Sequence, residues 1–247
     1  MKLGKSLPVH DPRTLSFSDY VNTVALPPTP VAYCYGETIA LTAWGMMANE
    51  IVSDCTLASA GHLIMAWTAA NGAMVTPSDT EIIAAYSAIT GYDPVTHQNN
   101  TGSNLVNVLN YWRKSGIANH KIAAYAALEP GNHNHIMQAV YLFGGCYIGL
   151  ALPASATTQT VWTIPPGGAT GQGAPNSWGG HAVPVIGYDS NGLTVVTWGT
   201  IKQLTWQFWD AYCDESYCII SADFAGEKAP NGFNMATLQA DLKQLVA

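Results

Sequence analysis

Residues 179–199 read GGHAVPVIGYDSNGLTVVTWG, and the fold is decided by how this stretch is understood. Two runs rich in β-branched and apolar residues, the first opened by His181 and the second ending at Thr197-Trp198-Gly199, flank a polar break at Asp189 to Gly192. That is the pattern of a β-hairpin, with Asn191-Gly192 expected to supply the positive φ angles of a tight turn. His181 opens the hairpin directly after Gly179-Gly180, at an edge where small residues leave room for another molecule.

Upstream, residues 53–71 read SDCTLASAGHLIMAWTAAN. Leu57, Ala60, Ile64 and Trp67 recur at helical spacing with few charges between them, which predicts a buried helix beginning at Cys55 and capped by Ser53 or Asp54. Two more helices are expected. PSDTEIIAAYSAITG places Ser78 three residues before Glu81 and stops at Gly91, while GSNLVNVLNYWRKSG aligns Leu105, Val108, Leu109 and Trp112 on one stripe before Gly116. From about residue 137 the pattern turns to a short helix in QAVYLFGG and a buried strand in CYIGLAL, then a Pro- and Gly-rich excursion over 153–180. After the hairpin, LTWQFWDAYCDES reads as helix and YCIISAD as strand.

The expected organisation is α+β. An extended arm at 1–40, rich in proline, precedes a single domain with a helical lobe at about 41–130, a β-rich lobe at about 131–225 and an amphipathic helix at about 233–246. No internal repeat is visible.

Of the 247 residues, 48% are hydrophobic and only 10% charged, which argues against disorder. The formal charge of −7, with no basic run, disfavours nucleic acid. No stretch has the length of a membrane span, and the start lacks the apolar centre of a signal peptide, so a cytoplasmic location is the expectation. Five cysteines cannot all pair within one chain. Oligomeric state is not readable from this composition.

Chemistry is concentrated at two positions. A cysteine in the first turn of a buried helix faces unpaired amides and the positive end of the helix dipole, which favours its thiolate. Cys55 has that placement, and His181, far downstream on a strand, is the candidate base. His62 lies seven residues beyond Cys55 on the same helix, about 10 Å along the axis and too far for direct proton transfer. His133 and His135 alternate in a polar loop without further ligands, and Cys213 and Cys218 have no second pair, so neither group makes a metal site. No cofactor is implied.

Taken as an ordered set, the helix-opening cysteine, the helical lobe, GGHAVPVIGYD and the strand ending in Thr197-Trp198-Gly199 resemble the papain-like cysteine peptidases over roughly residues 44–222. The resemblance implies a papain-like fold, with the helical lobe carrying the nucleophile helix packed on an antiparallel β lobe carrying the histidine. It implies Cys55 as nucleophile, His181 as base, and peptide or protein substrates. In that family a Gln six residues before the nucleophile helps hold the oxyanion; here the position is Asn49, which keeps a carboxamide on a shorter stem. The family's Asn that orients the histidine is missing. Alignment on Trp198-Gly199 puts Val196 there, and one residue of slippage in the hairpin puts Thr197 there instead, whose hydroxyl can bond the ring. Trp198 is expected to shield that contact from water. Thr56 stands where the family has Trp, and Val52 where it has a disulfide-forming Cys, so pocket specificity does not transfer.

The activity implied is amide or peptide hydrolysis through a thioester. Glu50 and Asp54 flank the nucleophile, and negative charge there would oppose thiolate formation. Two other readings share parts of the pattern: a catalytically silent papain-fold binding or structural protein, and another Cys-His amide hydrolase such as a cell-wall-peptide hydrolase, whose histidine usually follows the cysteine much sooner.

Overall fold

A computed structural model of the chain describes residues 1–19 and 28–221. The amphipathic helix expected at 233–246 lies outside the described residues. In chain order the elements are β1 (Leu15–Ser16), β2 (Tyr33–Cys34), α1 (Cys55–Ala70), α2 (Asp79–Thr90), α3 (Leu105–Lys114), β3 (Ile122–Ala127), α4 (His133–Phe143), β4 (Cys146–Leu152), β5 (Val161–Trp162), β6 (Gly179–Tyr188), β7 (Gly192–Thr197), β8 (Thr200–Thr205), α5 (Trp206–Tyr212) and β9 (Cys213–Ser221). No helix among the described residues is long and apolar enough to cross a membrane.

The helices start where local chemistry satisfies their free amides. The Ser78 hydroxyl accepts from Glu81 N, and the Glu81 carboxylate accepts from Ser78 N at 2.9 Å, closing the capping box of α2. Asn104 and Asn132 cap α3 and α4 through their side-chain oxygens, which accept from Asn107 N (2.9 Å) and His135 N (3.2 Å). Helix α1 is different: it is buried on nearly every face, and Asp54 at its N-cap makes no capping bond. Tertiary packing, not amphipathicity, therefore holds α1 in place.

The sheet runs β1-β3-β9-β4-β6-β7-β8-β5, with β2 also paired to β6. Alternation along the strands divides the core in two. Tyr147, Ala182, Ile186, Val196 and Ile219 face the cluster built on α1, α2 and α3, whereas Ile148, Val183, Val185, Leu193, Val195 and Ile220 face the cluster built on α4 and α5. This is an α+β architecture in which helix α1 packs directly on β6 and so brings the start of one to the start of the other.

Several expectations need revision. The β6–β7 turn does not use positive φ at Asn191 or Gly192; instead the Asp189 carboxylate accepts from the amides of Asn191 (2.7 Å) and Gly192 (3.0 Å) and holds the reversal itself. Strands β3 and β8 have no counterpart among the sequence expectations, helix α4 begins earlier than the apolar run QAVYLFGG suggests, and β9 takes over from α5 already at Cys213. The reason is common to all four: polar or alanine-rich segments carry weak periodicity, and their neighbours in space decide their conformation.

Candidate active site

Cys55 is the first residue of α1 and is 1% exposed. The backbone amides of Ala182, the residue after His181, and of Gly4 lie near its sulfur and favour the thiolate. Around it, the Ser59 hydroxyl donates to the carbonyls of Cys55 (2.7 Å) and Ala182 (2.8 Å), and the Tyr147 hydroxyl donates to Thr56 O at 2.8 Å. These bonds lock the first turn of α1 onto β6 and β4. The chain thus brings Cys55 to the start of β6.

His181 Nε2 lies 2.7 Å from Thr197 Oγ1. The pairing depends on one irregularity. Strands β6 and β7 pair Tyr188 with Leu193 and Gly187 with Thr194, but Val185 with Val195, so one extra residue on β6 forms a bulge. Without it Val196 would stand on the His181 face; with it Thr197 does, and Val196 turns to the opposite core. Trp198 stacks on the imidazole at 4.3 Å and 17°, backed by Trp178 at 5.4 Å. Trp198 therefore covers the ring and its bond to Thr197.

Asn49 is placed beside the nucleophile loop, but its amide donates inward, to Val52 O at 3.1 Å and Asp54 Oδ1 at 3.0 Å. Both amide hydrogens are spent there, which departs from the expectation of an oxyanion donor. The loop that carries it is unusual. Met47 and Ala48 both adopt positive φ, Gly45 bridges to Gly199, and buried His62 anchors the turn through Nε2 at 3.0 Å from Trp44 O and 3.2 Å from Gly45 O. Burial holds the His62 ring neutral, its pKa lowered to about 4. His62 is thus a strut of the site's loop rather than a proton carrier.

The charge problem posed by Glu50 and Asp54 resolves through solvation. Glu50 is exposed. Asp54 is fully buried, and desolvation raises its pKa to about 8, so at neutral pH it is mostly protonated and brings little negative charge to Cys55.

The residues that sequence reasoning missed lie at the amino terminus. Residues 2–6 bridge the nucleophile loop, Ser103 and the start of β6: Lys2 N donates to Asn49 O (2.9 Å), Lys5 N to Gly180 O (3.1 Å), Ser103 N to Gly4 O (2.9 Å), and Ser6 N to Ser103 O (3.0 Å). Trp198 Nε1 donates to Lys2 O at 3.1 Å. Gly4 passes so close to the nucleophile loop that a Cβ there would sit 2.0 Å from Ser53 O, which only glycine permits. Nothing local in the first six residues signals this, because every partner is distant in sequence.

Sealed by this segment, the pair is neutral. Burial pushes the Cys55 thiol up to about 12 and the His181 imidazole down to about 3, and His181 Nδ1 has no hydrogen-bond partner. Burial thus disfavours a thiolate–imidazolium pair in this arrangement, and Cys55 and His181 share no hydrogen bond. Elsewhere, His133 pairs with Asp210 at 2.7 Å and stacks on Trp206, all five cysteines are unbridged, and no cluster of three metal-ligating side chains occurs among the described residues.

This geometry defines a papain-like fold, and comparison with solved structures shows the same. Xylellain, a cysteine protease from Xylella fastidiosa, superposes with a TM-score of 0.67 at 14% identity, over 88% of this chain and 95% of that one. Procathepsin B S9 from Trypanosoma congolense gives 0.61 at 11% identity, over 89% of this chain and 86% of that one. Digestive procathepsin L 3 of Tenebrio molitor gives 0.60 at 12%, over 89% and 75%. At these identities the likeness establishes the fold. No protein-family model and no curated protein matches the sequence itself.

Proposed function

We propose that this chain is a cysteine-dependent peptidase whose nucleophile is Cys55 and whose base is His181, held closed by its own amino-terminal segment. The observation that carries the reading is the placement of His181: Nε2 is engaged by Thr197, Trp198 covers the ring, Nδ1 remains unspent, and Cys55 packs against Ala182, the next residue of β6. With Nε2–H donating to the Thr197 hydroxyl, Nδ1 keeps the lone pair that takes the Cys55 proton.

Withdrawal of residues 2–6 would rehydrate the pair and remove the desolvation that holds it neutral. The thiolate then attacks the peptide carbonyl, and the Cys55 backbone amide at the helix start donates to the oxyanion. His181 returns the proton to the leaving amine as the C–N bond breaks. Water, deprotonated by the same imidazole, hydrolyses the thioester and frees the thiol. Asn49 can join the oxyanion contact only by giving up its bonds to Val52 and Asp54.

The test is the pH dependence of Cys55 alkylation, followed by peptide mass spectrometry, in the native chain and in Lys5→Ala, Lys5→Ala/His181→Ala and His181→Ala variants. Reactivity well below the unperturbed thiol pKa of about 8.5 in Lys5→Ala, lost when His181 is also replaced, supports the dyad. A Cys55 that titrates as a free thiol in Lys5→Ala refutes it. The neutral, buried arrangement favours one other reading, a papain-fold protein that binds without turnover, and the same refuting result would leave that reading standing.

A further inference from the structure

His62 stands on the same helix as Cys55, buried, and the loop that precedes the helix is seated on it at two adjacent points. Its Nε2 faces the carbonyl oxygens of Trp44 (3.0 Å) and Gly45 (3.2 Å), so that nitrogen carries the hydrogen and shares it between them. One residue earlier, Gly61 leaves room for Met47: a Cβ there would sit 2.4 Å from the Met47 sulfur. Trp44 packs edge-on to the His62 imidazole at 5.8 Å. The loop needs this support, because Met47 and Ala48 hold positive φ without being glycine.

The far side of the loop reaches the base. Gly45 forms an antiparallel bridge with Gly199, and the approach is so close that a Cβ on Gly199 would lie 3.0 Å from the carbonyl carbon and oxygen of Gly45. Gly199 follows Trp198, itself at positive φ, whose indole stacks on the His181 ring. Every step from His62 through Gly45, Gly199 and Trp198 to His181 is thus a direct contact or a peptide bond. Thr197 engages one nitrogen of the imidazole, whereas Trp198 fixes the plane of the ring, and that plane decides where Nδ1 points.

We propose that His62 is a positioning residue for the base: by holding the Trp44–Gly45 turn against α1 it sets Gly199 and Trp198, and so fixes the plane of the His181 ring relative to the helix that begins with Cys55. One helix then carries the nucleophile at its start and, further along, the anchor of the base's cover. The proposal rests on the peptidase reading for its consequence in chemistry. The orientation of the ring itself does not depend on turnover.

The experiment uses the full chain with Lys5→Ala, which removes the ion pairs of Lys5 Nζ with Asp214 (2.8 Å) and Glu215 (3.2 Å) and loosens the amino-terminal segment. In that background His62→Phe keeps a buried ring without the donor, and His62→Gln supplies an N–H of similar reach. Two readouts are followed: the pH profile of Cys55 alkylation, and the Hε1 resonance of His181 in protein labelled at histidine Cε1, assigned with His181→Ala. In His62→Phe, alkylation at neutral pH is expected to fall about tenfold or more, as misplacement of a reacting group does. The His181 resonance should move downfield as the ring leaves the indole face, and His62→Gln should restore both. Gly199→Ala, which presses on Gly45 from the other end of the bridge, replaces His62→Phe if that variant does not fold, with the same two changes expected. Where alkylation depends on His181, an unmoved resonance, a rate that does not follow it, or a loss that His62→Gln fails to restore would overturn the proposal. If Cys55 titrates as a free thiol in Lys5→Ala itself, the peptidase reading falls and the resonance alone decides: a shift in His62→Phe that His62→Gln reverses sustains the positioning, and an unmoved one sinks it.

Discussion

The Nε2 of His181 lies 2.7 Å from the Thr197 hydroxyl, across 16 residues of sequence and one β-bulge, in a wall closed by Trp198. Thr197→Val keeps the shape of the side chain and removes the oxygen. Its expected effect is a loss of about tenfold or more in Cys55 alkylation rate at neutral pH in the Lys5→Ala background, because the imidazole loses its fixed tautomer and orientation. The stability cost should be about 1–3 kcal/mol from the unpaired buried nitrogen, read from the urea midpoint. An unchanged rate would mean that Thr197 does not position the ring.

The amino-terminal segment gives a second prediction. Gly149 lies in β4 beside an irregularity in its pairing with β9, and the methyl group of Gly149→Ala competes for the space of the Lys5 stem. Faster Cys55 alkylation than in the native chain is expected, since loss of the Lys5 anchor loosens the segment that carries Gly4 over the sulfur. Hydrogen exchange at the Lys5 and Ser103 amides should accelerate in parallel. Protected amides with accelerated alkylation would show that the seal is elsewhere.

Asp54 makes stability depend on pH in a direction opposite to that of most carboxylates. Folded, its pKa is raised to about 8; unfolded, it ionises near 4. Between those values the folded state binds a proton that the unfolded state has released, so stability falls as pH rises from about 4 to about 8. Asp54→Asn keeps the bond from Asn49 and has nothing to ionise. Its midpoint in urea, compared with that of the native chain, should gain steadily over this window; a constant difference would place the Asp54 charge in solvent.

His62 contributes the other sign. Its folded pKa of about 4 lies below the unfolded value of about 6.5, so protonation of the unfolded chain lowers stability as pH falls through that interval. His62→Gln should make the acid branch shallower. His62→Ala should cost about 2–3 kcal/mol at pH 7, from lost packing and two carbonyls left without their donor. Circular dichroism melts from pH 4 to 7 check both.

How much of this was legible in the sequence varies with the range of the forces involved. Cys55 at a helix start, the capping box at Ser78 and the stop at Gly91 rest on contacts a few residues apart, and the patterns read them directly. The hairpin was legible as two strands and a reversal, though its turn is held by the Asp189 side chain rather than by Asn191-Gly192 backbone angles. Asn49 could be identified as a carboxamide near the nucleophile, but which way it donates depends on Asp54, whose charge depends on burial.

By itself, then, the sequence determined the helix that presents Cys55, the strand that carries His181, and the choice between Val196 and Thr197 as neighbours of the ring. Tertiary structure made that choice. A hairpin with period two puts alternate residues on opposite faces, and no local preference records whether one residue of β6 will bulge; the packing of Val185 and Val195 into one core and Val196 into the other does. Tertiary structure alone also placed Lys5 between Asp214 and Glu215, more than 200 positions away. Burial of charge has meaning only once the walls around it exist, and those walls are assembled from both lobes.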